Sequence, residues 1–230
     1  MDKYNSKVLI IGSSSEIGNA ICKHAVASGY EVLGTSRKPH NEEIHLDVMS
    51  DGSVKEAIEI AIEKMRCIDA VIYTPAMSLD GLLHVQDIES WHDVFNVNLF
   101  GAARVAKYLL PHFMKNRNGV MQFISSTASV RGSPGATAYS CSKAAMNALV
   151  KNIANDYGRF NIRAYSVMPG YVDGGMLRHI SSEKKVELAK SIALKRMADV
   201  DEIARFCVGA LSASTYITGT TLRIDGGLMG

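Results

Sequence analysis

The chain has 230 residues, 47% of them apolar and 21% charged, and a formal net charge of +2. That length buries a sizeable core, and that balance is typical of a water-soluble globular protein. Near-neutral charge gives no basis for a nucleic-acid or acidic-surface partner, and no apolar run reaches the ~18 residues that would cross a bilayer.

The first predicted element is a β-branched strand over Lys7–Ile11, followed at once by a small-residue loop from Gly12 to Gly18. Ile17, Ala20, Ile21, His24 and Ala25 then recur at helical spacing up to Ser28, and Gly29 stops the helix. A strand, a glycine loop and a helix N-terminus suit a phosphate, because free N–H groups and the positive dipole end point at it. The hydroxyls of Ser13, Ser14 and Ser15 add donors. The second strand, Glu31–Thr35, ends in Ser36-Arg37-Lys38. In a dinucleotide-binding fold this strand end meets the adenosine ribose. No acidic residue stands there, and Arg37 with Lys38 suits a 2′-phosphate, so NADP(H) is favoured with NAD(H) left open.

A third strand is predicted over 43–46, a helix over 54–64, and a fourth strand over 70–74, stopped by Pro75. A long helix over 91–115 carries a broad apolar surface interrupted by Asn98. That amide is either a satisfied core group or an active-site polar group. Strands over 120–124, 162–167 and 221–224 and helices over 139–157, 182–193 and 199–211 complete the chain. Alternating strands and helices predict one α/β domain over residues 1–230, a Rossmann-type doubly wound parallel sheet of about seven strands. The Gly12 loop, Arg37, Asp47, Pro75, Ser126 and Pro169 all fall at strand ends and are expected to line one edge of that sheet.

The stretch from Ser126 to Lys143, STASVRGSPGATAYSCSK, concentrates the chemistry. Tyr139 and Lys143 share a helix face one turn apart, and Ser126 ends the strand before them. A free phenol titrates near ~10 and is a poor base at neutral pH. A neighbouring ammonium is expected to lower that value, and a serine hydroxyl to hold the same substrate oxygen. The four cysteines (Cys22, Cys67, Cys141, Cys207) are scattered, so no disulfide and no metal site is expected, and the setting is taken as reducing and cytoplasmic. The start, MDKYNSK, leads straight into a strand, so no signal peptide is expected.

Taken together the chain resembles the short-chain dehydrogenase/reductase family over essentially its whole length, and among its members the 3-oxoacyl-carrier-protein reductases. The resemblance implies a catalytic set of Asn98, Ser126, Tyr139 and Lys143. It implies a cofactor site of Gly12, Ser14, Ser15, Ile17, Gly18, Arg37, Asp47, Val48, Pro75, Ala76, Pro169, Gly170 and Val172, with Tyr139 and Lys143. In that scheme Tyr139 protonates a ketone or 3-oxoacyl carbonyl as hydride arrives from NADPH. Lys143 tunes Tyr139 and holds the nicotinamide ribose, Ser126 holds the substrate oxygen, and Asn98 holds a relay water. The segment 172–195 would cover a small-molecule or acyl-thioester substrate, with Met176, Leu177, Ile180 and Leu188 suggesting an apolar or mixed lid. Homo-oligomers (tetramers or dimers) would form through the helices at 91–115 and 139–157.

Several positions depart from the family pattern. Glu16 replaces the middle loop glycine, where a carboxylate repels a diphosphate unless it turns away. Ile11 precedes Gly12, Ser15 lacks a basic side chain, Tyr73-Thr74-Pro75-Ala76 replaces Asn-Asn-Ala-Gly, and Gly174 replaces a threonine. Two alternatives remain: an alcohol dehydrogenase or specialised biosynthetic oxidoreductase, and a non-catalytic cofactor-binding protein.

Overall fold

The computed structural model describes residues 6–229. Seven strands form one sheet, all parallel, in the order β3-β2-β1-β4-β5-β6-β9. They are β1 (Lys7–Ile11), β2 (Glu31–Ser36), β3 (Ile44–His45), β4 (Ala70–Tyr73), β5 (Gly119–Ile124), β6 (Ile162–Pro169) and β9 (Thr220–Ile224). The inner strands are apolar throughout because both faces are covered: all six residues of β5 are buried. Alternation survives only as a division of labour. Leu9 and Ile11 of β1 join the core beneath α2 (Asp51–Met65), α4 (Gly101–Asn116) and α6 (Thr137–Tyr157). Val8 and Ile10 join the core beneath α1 (Glu16–Ala27) and α8 (Val200–Ala213). Each fully buried Val, Leu or Ile contributes about 1.5–3 kcal/mol, so one strand ties together two cores that single helices could not hold.

The strand order reverses between β1 and β4, and every carboxyl end of the sheet faces the same edge. Ligands of open α/β sheets bind at such an edge. The predicted elements appear with shifted ends. The expected third strand over 43–46 shrinks to β3, because the Glu43 N–H turns back to the His40 carbonyl at 3.2 Å. The pairing still continues past β3, where Leu46 N–H donates to the Ser36 carbonyl at 2.9 Å. The helix expected over 182–193 ends early as α7 (Ser182–Lys190), capped by the Ser181 hydroxyl. A short ladder of β7 (Val172–Asp173) and β8 (Ala198–Asp199) and a turn of helix α5 (Ala128–Arg131) lack any periodic signal.

The expected single helix over 91–115 is corrected in one respect. It runs as α3 (Glu89–Phe95), a π turn over Asn96–Phe100, then α4. Side chains hold the wide turn open. Tyr73 Oη donates to the Val97 carbonyl at 2.5 Å, and Arg104 donates to Asn96 Oδ1 at 2.7 Å and to the Val48 carbonyl at 3.0 Å. Gly101 lets the Tyr73 hydroxyl lie against the backbone, where a Cβ would clash. Such one-turn bulges re-aim a side chain, and here the residue re-aimed is Asn98.

Candidate active site

The glycine loop is shaped by close approach. Gly12 has φ of +83°, and a Cβ there would lie 2.7 Å from Thr74 Oγ1. The Thr74 hydroxyl braces the loop, within reach of the Ile11 carbonyl (2.8 Å) and the Gly12 carbonyl (3.1 Å). Ser15 caps α1, accepting from Gly18 N–H at 3.0 Å. Gly18 presses on the Gly12 carbonyl so closely that a Cβ would collide with it. The first turn of α1 is therefore held against the loop, and its N–H groups without helical partners face the sheet edge. Ser14 and Ser15 are exposed there, Ile17 is half-buried, and Pro75 and Ala76 follow directly on β4. This cradle, with no side chain at its two tightest points, fits the diphosphate of a dinucleotide.

Glu16 turns away from the cradle. Its carboxylate accepts from Gly175 N–H and from the Arg178 guanidinium, both in the segment after β7. The departure at the middle glycine is thus matched to the departure at Gly174, which has φ of +154° and leaves room for Glu16. An exposed ion pair contributes about 0–1 kcal/mol, so Glu16→Gln is expected to leave the unfolding free energy within that range. It should, however, speed limited proteolysis between residues 174 and 181. Equal cleavage rates in the two proteins would show that other contacts hold this segment.

At the other end of the cradle Arg37 and Lys38 are exposed after Ser36. Asp47 is fixed by its own loop, its Oδ1 accepting from Met49 N–H and its N–H donating to Ser53 Oγ, both at 3.0 Å, and Val48 is buried beside it. The crevice between Ser13 and Ser36 also holds a carboxylate from outside the predicted set, Glu43.

The chemistry-bearing residues meet where β5 ends and α6 begins. Tyr139 and Lys143 are both buried, Lys143 at 1% exposure. Lys143 Nζ donates to the Ile124 carbonyl at 2.7 Å and lies 5.8 Å from the centre of the Tyr139 ring. Burial pushes the Lys143 ammonium down to about 7. Burial also pushes the Tyr139 phenol up, and a hydrogen bond with Ser126 pulls it partly back. The expected lowering of the phenol by Lys143 does not appear: burial dominates, and Ser126 rather than the ammonium opposes it, while burial also draws Lys143 toward its neutral form. Ser126 is oriented by its own loop, its hydroxyl accepting from Ala128 N–H at 3.2 Å.

Asn98 is fully buried and fully bonded. Its Oδ1 accepts from Met77 N–H (2.7 Å), and its Nδ2 donates to the Met77 carbonyl and to Ser142 Oγ (both 2.8 Å). Ser142 in turn donates to the Tyr139 carbonyl at 2.7 Å. Asn98 thus joins α6 through Ser142, and at the same time pins the loop after β4. Ser142 escaped the motif pattern, although its place three residues after Tyr139 puts it on the same helix face.

The Pro169-Gly170 turn closes the site. Thr127 N–H donates to the Pro169 carbonyl and Gly170 N–H to the Ile224 carbonyl, both at 3.0 Å. Val172 is buried in the β7–β8 ladder. The lid residues are less covered than an apolar lid implies: Met176 is exposed, Leu177, Ile180 and Leu188 are half-buried, and α7 buries no residue. Among the described residues no group of three His, Cys, Asp or Glu is placed to hold a metal, and no helix is long and apolar enough to cross a membrane.

The chain is similar to known proteins over most of its length. The family profile described as enoyl-(acyl carrier protein) reductase matches residues 11–229. The chain is 29% identical to 3-oxoacyl-[acyl-carrier-protein] reductase of Thermotoga maritima, covering 96% of each chain. Against the enzyme of the same name from Chlamydia trachomatis it is 31% identical, over 80% of this chain and 74% of the other. The ligand-free aldohexose dehydrogenase of Thermoplasma acidophilum superposes with a TM-score of 0.92 at 27% identity, over 99% of this chain and 95% of that one. A gluconate 5-dehydrogenase from Burkholderia cenocepacia, solved with NADP and tartrate, shares the fold at a TM-score of 0.93 and 24% identity, over 97% and 95%. With a profile match running from the end of β1 almost to the C-terminus, the chain belongs to the short-chain dehydrogenase/reductase family.

Proposed function

We propose that the protein is an NADP(H)-dependent reductase of a ketone or 3-oxoacyl thioester carbonyl. The observation that carries this reading is the buried Tyr139 phenol, paired with Ser126 one helix turn from Lys143, at the carboxyl edge of the sheet beside the glycine cradle. NADPH supplies the hydride when bound. Tyr139, kept protonated at neutral pH by its surroundings, gives its proton to the carbonyl oxygen as the carbon–oxygen π bond breaks. Ser126 holds that oxygen in line, and Lys143, where it is protonated, supports the phenolate left behind. Asn98 keeps the loop after β4 and the start of α6 in register through Met77 and Ser142. Gly12, Ser14, Ser15, Ile17 and Gly18 take the diphosphate, Arg37 the 2′-phosphate, and Asp47 with Val48 the adenine. Pro75, Ala76, Pro169, Gly170 and Val172 flank the nicotinamide half. A single domain carries cofactor and substrate, and the names of the 3-oxoacyl reductase relatives support an acyl-thioester substrate. The four cysteines are free thiols, which suits a reducing, cytoplasmic setting, and α4 with α6 is the proposed contact between copies.

The test is consumption of NADPH by purified protein with a panel of ketones and 3-oxoacyl thioesters, with the hydroxy product identified. Turnover of a 3-oxoacyl thioester supports the proposal, and inactivity across the panel despite tight NADPH binding overturns it. The aldohexose dehydrogenase neighbour favours a second reading, oxidation of an alcohol by the same residues, which a panel of aldoses and alcohols with NADP and NAD separates. Arg37→Ala is expected to raise the NADPH dissociation constant about tenfold, the loss of one charge-assisted phosphate contact, and to change NADH little. Equal losses for both would remove Arg37 from the site.

A further inference from the structure

The start of β3 sends a carboxylate back into the crevice between the glycine loop and the end of β2. Ser13 Oγ donates to Glu43 Oε1 at 2.5 Å, Ser36 Oγ donates to Oε2 at 3.1 Å, and His40 N–H donates to Oε2 at 2.9 Å. Gly34 makes this approach possible, since a Cβ there would lie 2.6 Å from Ser13 Oγ and 3.4 Å from Glu43 Oε1. Burial pushes the carboxyl up, but the hydrogen bonds from Ser13, His40 and Ser36 outweigh it and hold Glu43 below the usual carboxylate range. An ionised carboxylate therefore stands where the sheet edge meets the adenosine ribose. It offers about four lone-pair sites, and the protein occupies three.

We propose that Glu43 is a specificity-determining residue of the adenosine-ribose subsite, accepting the 2′-hydroxyl of NAD(H) and opposing the 2′-phosphate of NADP(H), so that both cofactors are used. The inference rests on the reading of this edge as a dinucleotide site. A ribose hydroxyl has a proton to donate to the remaining lone pair, and the bond is charge-assisted. A 2′-phosphate brings a charge of about −1.5 to −2 and no proton for a neighbouring carboxylate. Arg37 and Lys38 lie in the loop between Ser36 and Glu43 and pull the other way. The subsite is thus built from opposed charges rather than from a basic pair alone.

The test is the pair of dissociation constants for NADPH and NADH, measured by calorimetry on the wild type, Glu43→Gln and Glu43→Ala, with thermal midpoints recorded for each. The two cofactors share every contact except those at the 2′ position, so a general loosening of the loop raises both constants and leaves their ratio alone. The wild type is expected to bind both cofactors. Each variant is expected to shift the ratio about tenfold further toward NADPH. An unchanged ratio in both variants overturns the assignment while leaving the dinucleotide site standing. Binding of neither cofactor to any of the three proteins overturns both.

Discussion

Tyr139→Phe is expected to lower reductase turnover by about 10²–10⁴-fold, the usual contribution of a positioned general acid, while the dissociation constant for NADPH stays close to the wild-type value. The substitution removes one oxygen from a buried ring and keeps its shape. The ring stays packed where α6 begins, and Lys143 keeps its bond to the Ile124 carbonyl. Only the group that delivers the proton is lost. The expected pH profile follows from the same environment. Burial raises the phenol above its ordinary value, so the proton donor itself stays loaded through neutral pH, and any decline of reduction near neutrality belongs to Lys143, which burial lowers to about 7. Retained turnover in the variant would take the proton-donor role from Tyr139.

Gly18→Ala is expected to have the largest effect on the cofactor cradle. Its Cβ would collide with the Gly12 carbonyl and come within 2.8 Å of Ser15 Oγ, the hydroxyl that caps α1. Both neighbours are fixed by the loop, so the first turn of α1 must move. Overpacking costs about 1–3 kcal/mol, and a lost cap adds about 1 kcal/mol. The displaced N–H groups should abolish measurable NADPH binding, and the thermal midpoint should fall. Gly52 is the internal comparison. It sits in the first turn of α2, with nothing within 4 Å of the position its Cβ would take. Gly52→Ala is expected to stabilise by up to about 1 kcal/mol and to leave cofactor binding alone. If Gly18→Ala bound NADPH normally, the close contact would have no part in the site.

Much of this fold was legible because parallel strands buried on both faces announce themselves as short apolar runs. Lys7–Ile11 and Ile162–Pro169 begin where the runs begin, and the alternation of strands and helices announced a parallel sheet but not its strand order. The proposed catalytic residues were legible because their places in the sequence bring them together: Tyr139 and Lys143 share a helix, and Ser126 closely follows the neighbouring strand. What stayed hidden depends on contacts between distant segments. The π turn that re-aims Asn98 needs Tyr73, 24 residues away, to donate to Val97. The fate of the Glu16 carboxylate was settled by Arg178, 162 residues on. Glu43 was passed over because an acid was sought at the end of β2 itself, whereas it arrives from the next strand across 30 residues of sequence from Ser13. The tuning of Tyr139 was misjudged for a related reason. Spacing brings an ammonium near a phenol, but it does not show that burial dominates both groups.

The measurement that tests the central claim most directly is a titration of the purified wild-type protein with NADPH and with NADH, followed by the fluorescence of the reduced nicotinamide. The glycine cradle, Arg37 and the buried Tyr139–Lys143 pair together predict saturable binding of both, with NADPH the tighter. Failure of either to saturate the protein at millimolar concentration would contradict the account, because the edge of the sheet would then hold the residues of a reductase without its cofactor.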